Sequence, residues 1–424
     1  MSALRTTYLL FFTILLLNCS DDSPVSSPVI TDEFETPQQI VTNISRGINI
    51  GNTLEPPLEG DWNNGPMQEY YFDDIKDAGF SCVRIPVRWD KHTGETSPYT
   101  IDDEWLNRVE HFVDYGLEKG LYIIINAHHE GWLFTTYSQL ETKERFDRIW
   151  EQISDRFSTK SGKLLFEIIN EPNGISHEEI TELNTRILAI IRKNNPKRCV
   201  IFSGKGWASA DDLMTAEIPA DDYLLGYYHS YDPWNFAGEA NGTWGSFDDR
   251  EAIRKTFEKI AAWSTVHNIP VMISEFGAVR NCDYNSRMLH YYTYTEFALK
   301  NNIPFLVWDD GGDFGIYNRE SRNWSEVKDI LINTHPEGPA ILQAYYVTGG
   351  NVYLTWQNRS DVNSVIEIQR KVDSGEFVKI AEVSKETADY HEKYSTKGTI
   401  YYRIVIKPDG LPDMYSNPSR IIIE

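Results

Sequence analysis

Residues 164–172 read LLFEIINEP, and residues 271–277 read VMISEFG. Each stretch is a short apolar run that ends in a glutamate, Glu171 in the first and Glu275 in the second. Apolar residues on both faces of a strand are typical of parallel sheets that are covered on both sides. An ionised carboxylate is costly to bury, so a glutamate at the end of an apolar strand is unusual. Two such strands therefore indicate a functional site at the carboxyl ends of the strands.

Six more runs of this kind occur along the chain, and stretches with helical spacing separate them. Leu106, Val109, Val113 and Leu117 lie on one face of such a helix, and Ser176 with Glu179 predicts a capping box at the start of another. This alternation predicts an α/β fold, a (β/α)8 TIM barrel over residues 38–336, with a doubly wound sheet as the alternative. The six runs are residues 47–50, 82–86, 121–126, 199–203, 224–229 and 305–308.

The pattern changes after residues 335–339, HPEGP, where Pro and Gly indicate a linker. Val352, Leu354 and Trp356 then alternate with polar residues, which predicts a small C-terminal all-β sandwich over residues 340–424. The segment resembles a fibronectin type III module. Its surface aromatic residues are too few to make glycan binding the first choice, so we expect an accessory domain that acts as a spacer or stabilising module.

The N-terminus predicts export. Arg5 precedes an apolar run over residues 8–17 that is too short to span a bilayer, and residues 16–19, LLNC, resemble a bacterial lipobox. Residues 1–19 are therefore expected to be a signal peptide with a lipid anchor at Cys19; an ordinary secretory signal with an incidental cysteine is the alternative. Residues 20–37, rich in Ser, Pro and Asp, predict a disordered tether. These features favour a secreted protein, an outer-membrane or cell-surface lipoprotein of a bacterium.

The charge balance restricts the partners. With 40 Lys and Arg against 63 Asp and Glu, the net charge is −23. This excess of negative charge argues against nucleic acid and disfavours an anionic polysaccharide, so a neutral or cationic substrate fits better. Membrane contact is expected only through the lipid anchor. None of the four cysteines forms a C-x-x-C pair, no cofactor is indicated, and we expect a monomer.

A pair of glutamates at one barrel mouth suits glycoside hydrolysis. That reaction needs one protonated carboxylic acid and one ionised carboxylate. Asn170 and His229 are expected to hold Glu171 in a polar network. Arg84 and Tyr231 are candidates for keeping Glu275 ionised.

At this point the sequence resembles glycoside hydrolase family 5, over about residues 44–333. The resemblance implies a retaining double displacement with Glu171 as acid/base and Glu275 as nucleophile. Asn170 is then expected to hydrogen-bond the sugar 2-hydroxyl. The remaining positions that match the family's active site are Arg84, His128, Asn170, His229, Tyr231 and Trp308. The motifs that carry the resemblance are residues 46–55, 83–89, 125–129, 169–172, 229–231 and 273–277.

Residues 55–62, EPPLEGDW, are similar to a bacterial endoglucanase subgroup in which some members act on β-1,4-glucans and β-mannans. There, Asn52, Glu55 and Asp309 match positions that line non-reducing-side subsites. The chain departs from the subgroup at Asp309, where Glu is usual, and at residues 236–238, where a His-containing insertion is usual. We expect an endo-acting β-1,4-glucanase. The alternatives are a β-mannanase, a mixed-linkage glucanase, a xyloglucanase, or a non-catalytic glycan-binding lipoprotein.

Seven tryptophans fall in the predicted strand ends or the loops after them, where their rings can stack on sugar faces. Trp308 is the best candidate for the scissile-bond subsite, and Trp207 and Trp234 are candidate subsite walls. His128, His129 and Glu130 lack the H-E-x-x-H spacing, so no metal site is predicted, and His129 is expected to support or pack. The seven are Trp62, Trp89, Trp132, Trp207, Trp234, Trp244 and Trp308.

Overall fold

The computed structural model describes residues 34–360 and 364–424. Eight parallel strands form a closed barrel in chain order, which confirms the (β/α)8 prediction over the doubly wound alternative. The first strand pairs with both the second and the eighth, so the sheet has no free edge. The strands are β1 Arg46–Asn49, β2 Cys82–Ile85, β3 Tyr122–Asn126, β4 Leu164–Glu167, β5 Val200–Phe202, β6 Leu224–Ser230, β7 Val271–Phe276 and β8 Phe305–Val307.

Helices cover the outside of the barrel, and one closes its lower end. The predicted capping box is confirmed, because the Ser176 side chain accepts a hydrogen bond from the backbone of Glu179. Among the helices of the described residues, none has the length and apolar content needed to cross a bilayer. The helices are α1 Pro37–Ile44, α2 Tyr70–Ala78, α3 Asp103–Glu118, α4 Gly131–Thr135, α5 Leu140–Arg156, α6 His177–Arg192, α7 Ala210–Thr215, α8 Trp234–Ala237, α9 Phe247–His267, α10 Tyr284–Lys300 and α11 Val327–Asn333.

The barrel interior changes from apolar to polar along its axis. Because side chains alternate along a strand, every second residue points inward. Near the strand starts, Ile40 and Ile44 of α1 pack against a buried apolar group that includes Cys82, Tyr122, Ile124, Leu165, Cys199, Ile201, Leu225, Tyr227, Met272 and Leu306. Near the strand ends, the interior holds buried polar side chains instead, namely Asn49, Arg84, Asn126, Glu167, His229 and Ser274.

Residues 34–37, the last part of the predicted tether, are folded against the barrel. The Phe34 ring lies 5.6 Å from the Arg198 guanidinium, and Glu35 accepts a hydrogen bond from the Tyr122 hydroxyl. The Thr36 side chain caps α1, whose first residue, Pro37, is buried. Residues 34–37 therefore belong to the barrel, because their side chains find partners in its floor. Residues 20–33 of the tether and the predicted signal segment with Cys19 lie outside the described residues.

Beyond the barrel the chain forms antiparallel sheets. After the short hairpin of β9 Tyr317–Asn318 and β10 Asn323–Trp324, a three-stranded sheet and a five-stranded sheet enclose one apolar core around Trp356. The first sheet has the order β11-β12-β15; the second has the order β14-β13-β16-β17, with β18 beside β16. The strands are β11 Ala340–Val347, β12 Asn351–Gln357, β13 Ser364–Val372, β14 Val378–Val383, β15 Asp389–Lys393, β16 Gly398–Pro408, β17 Met414–Tyr415 and β18 Ser419–Ile423.

Candidate active site

The polar end of the barrel opens into a cleft of about 710 Å³. Glu275 lies near the end of β7, and Glu171 follows β4 by four residues, so the barrel brings both to this opening. The cleft is lined by His128, His129, Asn170, Glu171, Trp207, Ser209, His229, Ser230, Tyr231, Asp232, Trp234, Glu275, Trp308 and Phe314.

The two carboxylates face each other across a short gap. A carboxylate oxygen of Glu171 and one of Glu275 lie within 4.8 Å of each other. Retaining glycosidases place their two carboxyl groups about 5 Å apart, whereas inverting enzymes leave a wider gap that admits a water molecule. The spacing therefore suits direct attack by one carboxylate on a bound sugar.

Both oxygens of Glu275 accept hydrogen bonds from fixed donors. Arg84 Nη1 lies 2.7 Å from Oε1, and the Tyr231 hydroxyl lies 2.8 Å from Oε2. A proton on either oxygen would have to compete with one of these donors. The ionised form of Glu275 is therefore the form that the site accommodates, as a nucleophile requires.

Arg84 is held in place by a buried network. Glu167 accepts hydrogen bonds from its Nε and Nη2 at 2.7 Å and 2.6 Å, and Asn49 Oδ1 accepts one from Nη1. Asn170 Oδ1 accepts another from Nη2, at 2.7 Å. This last contact directs the amide of Asn170, whose Nδ2 is left to donate into the cleft.

Glu171 has a different environment. His229 Nδ1 lies 2.8 Å from its Oε1, and His229 Nε2 lies 3.0 Å from Ser274 Oγ. Its backbone has a φ of 43°, in the region that favours glycine, and its N–H donates to the Tyr227 hydroxyl. Such backbone conformations cost free energy and concentrate at functional sites. The Glu171 side chain retains 26% of its exposure against 6% for Glu275, so it can reach a leaving group in the cleft.

The surroundings shift the two pKa values in opposite directions. Burial raises the pKa of Glu275, which makes its anion more basic. Although burial acts to raise it, the hydrogen bond with His229 brings the pKa of Glu171 below its ordinary value. Burial and the negative charge on the neighbouring Glu275 act in the opposite sense on Glu171, because both favour its protonated form.

His128 is buried on the cleft floor. Burial lowers its pKa well below the ordinary value, so its imidazole is neutral at pH 7. Asn126 Nδ2 lies 3.1 Å from His128 Nδ1, which makes Nδ1 an acceptor and leaves Nε2 to donate toward the cleft. The Trp308 ring lies nearly parallel to the His128 ring, with centroids 6.1 Å apart.

His129 does not pack into the protein as its expected supporting role suggests. It is exposed on the cleft wall, with a φ of 60°, and its ring meets the edge of Trp62 at a centroid distance of 5.4 Å. The positive φ turns the chain after β3, so that adjacent His128 and His129 reach the cleft at different depths. His129 is therefore available to a ligand.

The predicted loop tryptophans differ in exposure: some line the cleft, and others are buried in the core. Trp207 and Trp234 line the cleft with 62% and 55% of their surface exposed, as subsite walls require. Trp308 is half-buried on the cleft floor. Trp89 and Trp244 are buried core residues, so their position after strands did not indicate a role in the cleft.

The structure corrects the expected sugar-contacting role of Glu55. It is fully buried and accepts hydrogen bonds from the backbone N–H groups of Asn52 and Thr53. Burial raises its pKa to about 7. Its oxygens fix the loop after β1 rather than line the cleft, because a buried carboxylate must find donors nearby. Asn52 itself is half-buried, and its side chain donates to Asn63 at 2.6 Å.

Asp309 has the same function in the loop after β8. It is 1% exposed, and its oxygens accept hydrogen bonds from the backbone N–H groups of Gly311 and Tyr317 at 2.8 Å and 3.2 Å. It therefore organises this loop instead of contacting sugar directly. The substitution of Asp for the Glu usual in the subgroup thus falls beneath the cleft surface.

Several functional side chains were missed at the level of sequence. Glu167 orients Arg84, and Asn126 donates to Glu167 at 2.9 Å and fixes the tautomer of His128. The signal was present: both are polar residues within otherwise apolar strands, at positions that point into the barrel. Phe314, Ser209 and Asp232 line the cleft from loops and had no such signal.

Glu171, His229 and Glu275 together offer donor atoms within 4.8 Å of one another, a spacing that can hold a cation. The donors are already engaged, because Arg84 supplies a positive charge to Glu275 and His229 pairs with Glu171. An organic leaving group between the carboxylates fits the cleft better than a metal ion on the same oxygens.

Comparisons with known proteins agree with this geometry. The family model for cellulases, glycosyl hydrolase family 5, matches residues 43–313. Endoglucanase H of Acetivibrio thermocellus is 46% identical over 323 residues, which is 74% of this chain and 35% of that protein. The chain thus spans about a third of the length of this relative.

Solved structures extend the similarity beyond the barrel. The tri-modular endo-β-1,4-glucanase of family 5, subfamily 4, from Bacillus licheniformis is 31% identical, with a TM-score of 0.79, 92% of this chain covered and 79% of that chain covered. Its complex with cellotetraose gives a TM-score of 0.76 at 31% identity, with 91% and 79% covered. Cel5A of Thermotoga maritima with mannotriose gives 0.67 at 33% identity, with 70% and 100% covered.

A closed eight-stranded barrel, a glutamate pair at its polar end and a family match over more than half of the chain lead to one assignment: the chain belongs to glycoside hydrolase family 5.

Proposed function

We propose that the chain is a retaining, endo-acting glycoside hydrolase that cleaves β-1,4-linked glucan. The observation that carries the proposal is the gap of at most 4.8 Å between oxygens of Glu171 and Glu275, with both oxygens of Glu275 held by donors. This arrangement serves a covalent intermediate, for which the attacking carboxylate must be ionised and close to the anomeric carbon.

In the first step, Glu275 attacks the anomeric carbon while Glu171 donates its proton to the departing glycosidic oxygen. The bond between that oxygen and the anomeric carbon breaks, and a glycosyl ester forms on Glu275. In the second step, Glu171 takes a proton from a water molecule, whose oxygen attacks the anomeric carbon and displaces Glu275. Because esterification removes the charge on Glu275, the pKa of Glu171 falls, and Glu171 is then ionised and available to act as the base.

Three further side chains support this chemistry. Asn170 donates from Nδ2 to the sugar 2-hydroxyl, a contact that strengthens in the transition state. His128 donates from Nε2 to a neighbouring hydroxyl. The Tyr231 hydroxyl holds Glu275 Oε2 in the orientation needed for attack.

The substrate assignment rests on the open cleft and on the relatives. Exposed Trp207 and Trp234 offer stacking surfaces on a neutral polymer, and the net charge of −23 disfavours an anionic one. Endoglucanase H of Acetivibrio thermocellus is among the relatives, and one solved relative holds cellotetraose. β-Mannan is the second candidate, because a solved relative holds mannotriose.

The decisive experiment compares Glu275→Gln with the parent on soluble β-glucan, mannan and cello-oligosaccharides. We expect the parent to release cello-oligosaccharides with retained anomeric configuration by NMR, and the variant to lose turnover with its unfolding midpoint unchanged. Inverted product, or turnover that survives in Glu275→Gln, would overturn the mechanism. Preferred cleavage of mannan would replace the substrate.

A second variant separates the two glutamates. Glu171→Ala should lose about 10²- to 10⁴-fold on polymer but far less on an aryl cellobioside, whose leaving group needs little protonation. Equal losses on both substrates would contradict the acid role of Glu171.

We further propose that the protein is a monomeric, bacterial cell-surface lipoprotein anchored at Cys19. The support is the lipobox-like sequence at residues 16–19 and the acidic residues Asp21 and Asp22 behind it. Metabolic labelling with a palmitate analogue should mark the parent and not Cys19→Ala. Labelling of both would refute the anchor.

We also propose that the C-terminal sheets form a fibronectin type III-like sandwich. Two antiparallel sheets around a buried Trp356 support this relationship.

A further inference from the structure

The outer face of the three-stranded sheet carries an aromatic row that crosses all three strands. Tyr345 of β11 lies opposite Tyr353 of β12, and Tyr353 lies opposite His391 of β15. The neighbouring residues of β12, Val352 and Leu354, are buried, so Tyr353 must point away from the core. The three residues Tyr345, Tyr353 and His391 therefore form one row on one surface, which we call the aromatic row.

The rings of the aromatic row are exposed. Tyr345 and Tyr353 retain 50% and 44% of their surface, and His391 is exposed as well. The Tyr353 and His391 rings are nearly parallel, 22° apart with centroids at 4.6 Å. Contiguous exposed apolar patches on protein surfaces are often binding sites.

Hydrogen-bonding side chains flank the aromatic row on both sides, and the charged ones are of opposite sign. On one side Gln343, Thr355 and Asp389 lie in register, and on the other Asn351 and Lys393 lie in register with the exposed Val347. With one carboxylate and one ammonium, this surface does not complement a strongly charged ligand. Rings flanked by polar groups complement a molecule with apolar faces and hydroxyl edges.

We propose that the aromatic row is a second binding surface for a neutral β-1,4-linked glucan chain, outside the cleft. Pyranose faces would lie on the Tyr345 and Tyr353 rings, with the sugar hydroxyls directed to the flanking side chains. The inference rests on the proposed function for the identity of the polymer. It differs from the spacer role that the sequence predicts.

A glucan chain long enough to reach from the aromatic row to the cleft would bind with higher apparent affinity than the cleft gives alone. Linking two weak sites raises the apparent affinity for a long ligand but leaves that for a short ligand unchanged. A long glucan should therefore contact both the aromatic row and the cleft, whereas a tetrasaccharide bound in the cleft should contact only the cleft. This difference separates the aromatic row from the catalytic machinery.

The test uses the full chain with Tyr345→Ser and Tyr353→Ser together. Affinity electrophoresis in hydroxyethylcellulose should show a Kd raised about tenfold, from the loss of two ring contacts. The kcat/KM on cellotetraose should stay within twofold of the parent. Val378→Ser with Ile422→Ser is the matched control, because these exposed residues lie on the other sheet. The control should bind polymer like the parent.

Tyr353→Phe should keep polymer affinity, since its ring remains, and an unchanged unfolding midpoint excludes misfolding. The inference is overturned if the double Ser variant binds polymer like the parent, if the control loses as much, or if the variant alters only self-association. If cellotetraose is not hydrolysed by the parent, the proposed function fails. Loss of polymer binding in the double Ser variant would still support the surface.

Discussion

The guanidinium of Arg84 lies 2.7 Å from the carboxylate of Glu275, with Arg84 fully buried and Glu275 nearly so. A buried charge pair is tolerated only when its remaining hydrogen-bonding groups are also satisfied. Here Glu167 provides the second anion for the same guanidinium. Glu275 is therefore held by a buried network, of which Arg84 and Glu167 lie beneath the cleft surface.

Arg84→Lys should lower kcat/KM at least about 100-fold, because an ammonium cannot bind Glu167 in two places and also reach Glu275. It should also cost several kcal/mol of unfolding free energy, since one buried carboxylate loses its partner. Steady-state kinetics and chemical denaturation measure the two effects. Arg192→Lys, which disturbs the remote pair with Asp221, should leave kcat/KM unchanged.

His229→Asn should move the basic limb of the kcat/KM profile to higher pH. The basic limb reports loss of the proton from Glu171, and the hydrogen bond with His229 lowers the pKa of that group. Without the imidazole, Glu171 keeps its proton to higher pH. A basic limb that moves to lower pH in this variant would show that His229 does not control the acid.

Glu55→Gln should remove part of the pH dependence of stability. The pKa of Glu55 is raised from 4.5 to about 7, so between these values the unfolded chain gives up a proton that the folded chain keeps. Stability therefore falls as pH rises through this window, by up to about 3 kcal/mol, and levels off above it. Denaturation from pH 4 to 8 should show a smaller fall in the variant. Glu239→Gln, at an exposed site, should keep the fall.

Trp207→Ala should raise KM for long cello-oligosaccharides several-fold with little change in the unfolding midpoint, because its ring is mostly exposed on the cleft wall. Trp244→Ala should instead lower the unfolding midpoint and leave KM nearly unchanged. It removes a buried ring and should cost about 3–5 kcal/mol of stability. Similar melting losses in both variants would mean that Trp207 serves packing rather than substrate binding.

The barrel and the glutamate pair were predictable because each depends on local sequence. The apolar runs that end in Glu171 and Glu275 predict both the strands and the glutamates that lie at the barrel opening. Glu167 stands out as a polar residue in an apolar strand, but its function could not be predicted. Its partners come from several strands, which the sequence does not place together.

Burial of Glu55 and Asp309 could not be predicted in this way. Each accepts backbone N–H groups whose directions depend on the folded loop, including the positive φ of Asn52. The aromatic row could not be predicted from the sequence for a similar reason. Tyr345 and His391 are 46 positions apart, and only the register through Tyr353 places them side by side.

The floor of the barrel, where Phe34 and α1 pack, also determines how the protein can be displayed. The chain reaches the barrel at the end opposite the cleft, since α1 leads into the start of β1. A surface attachment made at residue 34 would therefore leave the cleft open at the far end of the barrel.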